Sequence, residues 1–218
     1  MIGQHKRYWA EINLDVAENN FRVIKSHIKP ETKICCVVKA DAYGHGAVSF
    51  ARLYEKMGAD YFGVSNIEEA LQLRKNDIKL PIIILGYSPC ECAKILADND
   101  IEQSIYSYEY AKKLNEFADK SGVKVKIHLK LDSSMGRIGF CCKHGEKDSA
   151  ELDMAAKACC FKNLIPYGIF THFAVSDEGN DGRKYTYNQF KQFTSAIEYL
   201  WQKHQIAFKI GTVKKSLT

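Results

Sequence analysis

Lys39 is the first residue whose type and place suggest chemistry. It closes the apolar run 34–38 and opens the stretch Ala40-Asp41-Ala42-Tyr43-Gly44-His45-Gly46. An amine at the end of a fully apolar strand is expected to lose hydration. Its pKa then falls, and its neutral form can attack an aldehyde. The commoner occurrence is a lysine that snorkels from a strand end into water, and the residues by themselves leave both open. A second concentration of polar groups is Lys130-Leu131-Asp132-Ser133-Ser134-Met135-Gly136-Arg137. A planar guanidinium such as Arg137 suits two-pronged recognition of a carboxylate, though a surface ion pair is its ordinary use. Read alone, Tyr43 is a packed loop residue, His172 a satisfied core histidine and Lys130 an ordinary strand-end lysine. The eight cysteines include six that fall as adjacent pairs, Cys35-Cys36, Cys141-Cys142 and Cys159-Cys160, and none shows the spacing of a zinc site. No metal is expected. Reduced thiols buried as small hydrophobes fit a cytosolic protein, and nothing at the start resembles a secretion signal.

The elements that must position these residues alternate. Strands are expected at 8–14, 34–38, 61–64, 81–85, 103–106, 125–131, 167–171 and 207–210. Helices are expected between them, the last over 188–204. Asp15 with Glu18, and Ser65 with Glu68, have the spacing of capping boxes. Val16, Phe21, Ile24 and Ile28 are expected to form the buried stripe of the first helix. Strand–helix alternation with continuous apolar strands implies a parallel sheet covered by helices, an α/β fold. In an eight-stranded (β/α)8 barrel of the TIM type, functional groups gather at the C-terminal ends of strands, where Lys39 stands. An open doubly wound sheet is the competitor, weakened by the lack of a G-x-G-x-x-G after the first buried strand. The formal net charge of +5 is spread without a basic stripe, so nucleic acid is not an expected partner. No apolar run reaches membrane-spanning length.

Val37-Val38-Lys39-Ala40-Asp41-Ala42-Tyr43-Gly44-His45-Gly46 resembles the cofactor-lysine motif of alanine racemases, which use pyridoxal 5'-phosphate (PLP). The resemblance continues in order through Phe62-Gly63-Val64-Ser65 with Glu68-Glu69-Ala70, Leu80-Pro81-Ile82-Ile83-Ile84-Leu85-Gly86, His128 to Gly139, and Gly168-Ile169-Phe170-Thr171-His172-Phe173-Ala174. It implies that Lys39 holds PLP and serves as one of two catalytic bases. It further implies that Tyr43 bonds the cofactor phosphate, and that Arg137 meets the cofactor's phenolic oxygen and the substrate carboxylate. His172 would lie near the pyridine ring, and Lys130 can carry a carbamate that pairs with Arg137. Ser216 aligns with a phosphate-binding serine, although Lys215 stands where asparagine is expected.

The implied reaction is interconversion of L- and D-alanine by a homodimer whose second base, a tyrosine, comes from a partner's β-rich C-terminal domain. That domain is not in the 218 residues, and the eighth barrel strand is also expected to be missing. Residues 1–14 would pack with the C-terminal domain, and 15–218 would be a PLP-binding barrel incomplete at its C-terminal end. A single-domain PLP carrier without racemase activity is the alternative. Serine and basic amino acids are also open as substrates.

Overall fold

A computed structural model describes residues 10–208, which fall into two compact units divided after Ile82. Each unit is built from parallel strands and covering helices.

In the first unit, α1 (Leu14–His27) precedes β1 (Cys35–Val37), and α2 (Ala47–Lys56), β2 (Tyr61–Val64) and α3 (Ile67–Lys75) follow. Strands β1 and β2 pair in parallel, with Cys36 opposite Phe62. The helix α1 begins where Asn13 caps it by accepting from the N–H groups of Asp15 and Val16. The cap is therefore two residues earlier than the expected Asp15. Leu14 opens a helix rather than ending a strand, and residues 10–13 have no regular structure. The expected stripe on α1 also shifts. Phe21 is buried with Ala17, and its ring stacks on Tyr54 at 5.3 Å between centroids. Val16 and Ile24 are exposed, because the buried face runs through residues 17 and 21 instead.

The strand β3 (Ile82–Ile84) lies at the division. The second unit continues with α4 (Ala93–Asp98), β4 (Ile101–Ile105), α5 (Tyr108–Lys120), β5 (Val125–Asp132), β6 (Phe140–Cys141), α6 (Ser149–Cys159), β7 (Leu164–Phe170) and α7 (Gly179–His204). Strand β5 is central, pairing in parallel with β4, β6 and β7. Its apolar residues Val125, Ile127, Leu129 and Leu131 are fully buried. The alternate residues are Lys126, His128, Lys130 and Asp132. A period of two therefore gives the strand one apolar and one polar face.

Helix α7 starts nine residues before the expected 188. Its first turns are polar and contain Gly182, where an added Cβ would lie 2.1 Å from the Val175 carbonyl oxygen. That close packing favours glycine over a good helix former and hides the helix from propensity. Of the expected strand 207–210, residues 207 and 208 are not in a strand, and the other two lie outside the described residues, as do Tyr8 and Ser216. All eight cysteines are free thiols, but only Cys90, Cys142 and Cys159 are buried. Among the described residues no helix is long and apolar enough to cross a membrane, and no cluster of potential ligands could hold a metal.

Candidate active site

Lys39 and Tyr43 belong to the first unit, and Lys130, Arg137 and His172 to the second. Around Lys39 the chain does something L-residues rarely do. Ala40, Asp41, Ala42 and Tyr43 have φ between 51° and 58° and ψ between 35° and 50°, a left-handed helical turn. Gly44 continues it at φ +84°. Left-handed helix costs about 1–2 kcal/mol per L-residue, so the turn persists only because other bonds impose it.

Those bonds bracket Lys39. The Val38 N–H donates to the Gly63 carbonyl on β2 (2.8 Å), and the Ala42 N–H donates back to the Val38 carbonyl (2.9 Å). The Ala40 N–H donates to a Glu69 carboxylate oxygen (2.8 Å), and the other Glu69 oxygen accepts from Ser65 (2.8 Å). Asp41 closes the loop, its carbonyl accepting from Gly46 and its carboxylate from Ala47 (2.7 Å). Asn66 caps α3 by accepting from the Glu69 N–H, so the expected Ser65–Glu68 box sits one residue off.

The side chain of Lys39 is half-buried, with Nζ 5.8 Å from the centroid of the exposed Tyr43 ring. The expected desolvation of this amine is not what the structure shows. Among the described residues β1 pairs with β2 alone, and its Cys35 and Val37 are exposed.

The desolvated amine is Lys130, which is 3% exposed. Burial pushes its pKa from 10.5 down to about 8; nearby Asp132 opposes the fall and Arg137 adds to it. Its Nζ donates to the Leu131 carbonyl (2.8 Å) and lies 5.3 Å from the centroid of the Phe170 ring. Arg137 is exposed, on a loop that Asp132 shapes by accepting from the N–H groups of Met135 (2.8 Å) and Gly136 (3.0 Å). His172 is exposed just beyond β7, not in the core, and its carbonyl accepts from Gln189 of α7 (3.4 Å). The early turns of α7 also supply Tyr185, whose hydroxyl donates to the Ser134 carbonyl (2.6 Å). The part of α7 that was not expected thus ties down the loop carrying Arg137 through Tyr185, while Gln189 in the expected part holds His172.

Sequence reasoning missed two features. One is the Glu69 clamp, visible beforehand only as an acidic residue in the first turn of α3. The other is a buried pair on the polar face: His128 of β5 is closely hydrogen-bonded to Glu102 of β4, both almost without exposure. The signal for it was an acidic residue between the apolar ends of β4, Ile101 and Ile105, and the alternation along β5. Gly168 on β7 makes room for it. A Cβ there would lie 2.3 Å from Nδ1 of His128, whose ring is fixed by Glu102. Gly168→Ala is expected to cost about 2–3 kcal/mol, since overpacking a rigid core ring cannot relax cheaply. A denaturant midpoint equal to that of the unmodified chain would show that the ring can move aside.

Residues 12–218 match the profile described as "Alanine racemase, N-terminal domain". The alanine racemase of Clostridium perfringens (strain SM101 / Type A) is 43% identical over 187 residues, 86% of this chain and 46% of that protein. The solved alanine racemase of Clostridium difficile 630 superposes with a TM-score of 0.83 at 39% identity, covering 93% of this chain and 50% of that one. The alanine racemase of Bacillus anthracis with bound L-Ala-P gives 0.80 at 32% identity, covering 92% and 50%. The chain spans about half the length of these relatives. The parallel α/β fold and the match over nearly all of its residues place this chain in the alanine racemase family, as a counterpart of that family's N-terminal domain.

Proposed function

We propose that this chain is the PLP-carrying part of a cytoplasmic amino-acid racemase that interconverts L- and D-alanine, with Lys39 holding the cofactor. The observation that carries this reading is the bracketing of Lys39. A costly left-handed turn and the hydrogen bonds from the N–H groups around it fix one amine at a strand's C-terminal end, beside the Tyr43 phenol. An amine and a phenol are the donor set that an aldehyde bearing a phosphate calls for. When bound, PLP supplies an electron sink for the α-carbon. The chain's own residues do the rest. Lys39 anchors the cofactor and then moves a proton on one face of the α-carbon. Tyr43 donates to phosphate, Arg137 grips a carboxylate, and His172 lies near the ring.

Lys130 is read as a carbamate site. Its pKa of about 8 leaves a usable neutral fraction near pH 7, and a carbamate would replace its positive charge by a negative one facing Arg137. Ser216, outside the described residues, is kept as a phosphate ligand on resemblance alone. Residues 15–218 are read as one PLP-binding barrel domain, and the active assembly as a homodimer that supplies the second base. Eight free thiols suit a reducing compartment. The carrier alternative draws on the same geometry, since Lys39 serves only one face.

The test is to incubate the chain with PLP and treat it with borohydride, which fixes a lysine-bound cofactor as a stable secondary amine. Peptide mapping is expected to find the label on Lys39, and Lys39→Ala to abolish it. A label confined to other lysines would refute the assignment. Exchange of the alanine α-proton with solvent deuterium, measured in the chain joined to a family C-terminal domain, separates racemase from carrier.

A further inference from the structure

We infer that Glu69 is a positioning residue for Lys39, a role that rests on the reading of Lys39 as the cofactor lysine. Its carboxylate accepts the N–H of the Lys39–Ala40 peptide with one oxygen and the Ser65 N–H, at the end of β2, with the other. Fixing that peptide plane fixes ψ of Lys39, and so the direction in which its side chain leaves the backbone. The Val38 side of Lys39 is held separately by Gly63 and Ala42. Glu69 therefore supplies the restraint on the C-terminal side, at the first residue of the strained turn.

The chemistry requires a carboxylate. Two N–H donors converge on this side chain, and a carboxylate presents two acceptor oxygens. Glutamine has the same shape but offers one acceptor and one NH2, so Glu69→Gln sets a donor against a donor at Ala40 or at Ser65. Packing alone would not distinguish the two side chains. Glu69 is also held from behind, because its own N–H is capped by Asn66 (3.0 Å). Asn66→Ala weakens α3 without removing either acceptor of the clamp.

The experiment uses the full chain and three readouts. Amide hydrogen exchange at Ala40 and Ser65 reports the clamp without cofactor. The rate of PLP labelling at Lys39, trapped by borohydride, reports positioning. Reductive methylation of Lys39 by formaldehyde reports access to the amine alone. For Glu69→Gln we expect exchange at Ala40 or Ser65 to quicken roughly tenfold, the loss of one charge-assisted bond. PLP labelling is expected to slow by a similar factor while methylation is unchanged. Asn66→Ala is expected to lower the melting temperature and leave PLP labelling within about twofold. Unchanged PLP labelling in a folded Glu69→Gln chain overturns the inference. So does slowing in Asn66→Ala equal to that in Glu69→Gln, because the effect would then belong to helix stability. Failure of the unmodified chain to label at Lys39 overturns the cofactor reading first, and this inference with it.

Discussion

Replacing Lys130 by methionine is expected to make the chain more stable at pH 7, by about 2 kcal/mol. Lys130 is 3% exposed, and burial brings its pKa from 10.5 to about 8. Keeping the proton on such an amine at neutral pH costs about 3 kcal/mol relative to the unfolded chain. Methionine removes that cost and refills similar volume, while giving up one hydrogen bond worth about 1 kcal/mol. The abandoned acceptor keeps a partner, because the Thr171 hydroxyl also donates to the Leu131 carbonyl (3.0 Å). The sign follows from proton counting. Between pH 8 and 10.5 the unfolded chain binds more protons at Lys130 than the folded chain, so the unmodified protein gains stability as pH rises. Below pH 8 both forms are protonated and the penalty is complete. The advantage of Lys130→Met should therefore be full below pH 8 and close by about pH 10.5. Denaturant midpoints across that range check it, and a gap independent of pH would remove ionisation as the cause. A stabilising loss is what a functional group kept against the fold's interest predicts. Bicarbonate should narrow the same gap if Lys130 carries a carbamate, and intact mass under native conditions would show the adduct.

Gly139→Ala is expected to cost about 3 kcal/mol or more. Gly139 has φ +128°, and its Cβ would lie 2.8 Å from the Lys130 carbonyl oxygen and 2.9 Å from the Leu131 carbonyl carbon and the Asp132 nitrogen. These are backbone atoms of the central strand β5, which is held by β4, β6 and β7 and cannot yield locally. The comparison is Gly136→Ala in the same loop. Gly136 has φ +73° and open space about its Cβ position, so only backbone strain of about 1 kcal/mol is added there. If the two variants lose the same stability, the close approach at Gly139 carries no weight.

How far the sequence could be read depended on how local each signal was. Strand β2 lies at the expected 61–64, and helices α4 and α5 lie between the strands expected on either side of them, because each is an ordinary apolar or amphipathic segment. Lys39 was legible as a strand-end lysine and by motif, but its burial was not. Enclosure depends on neighbours of β1, and nothing in residues 34–38 records that among the described residues it pairs with β2 alone. The desolvated amine turned out to be Lys130, whose polar neighbours in sequence point along the polar face of a strand flanked on both sides. The Glu102–His128 pair was illegible for a similar reason. The partners are 26 residues apart and meet through the parallel register that sets Ser104 beside His128. The helix α7 was read short because glycine and polar residues lower propensity, and here packing against Val175 overrides it.

The left-handed turn at residues 40–43 has a consequence for the order in which the protein assembles and comes apart. A right-handed helix can flicker into being in an isolated peptide, but a left-handed turn of alanine, aspartate and tyrosine is uphill from the start. It can form only after β2 and α3 offer Gly63 and Glu69 as acceptors. The bracketed geometry of Lys39 is thus expected to be among the last features to set during folding and among the first surrendered when the first unit opens locally. Warming the chain should erode the capture of an aldehyde at Lys39 before helical circular dichroism falls. On the proposed reading of Lys39, aldehyde capture would be a gauge of tertiary integrity, finer than secondary structure content.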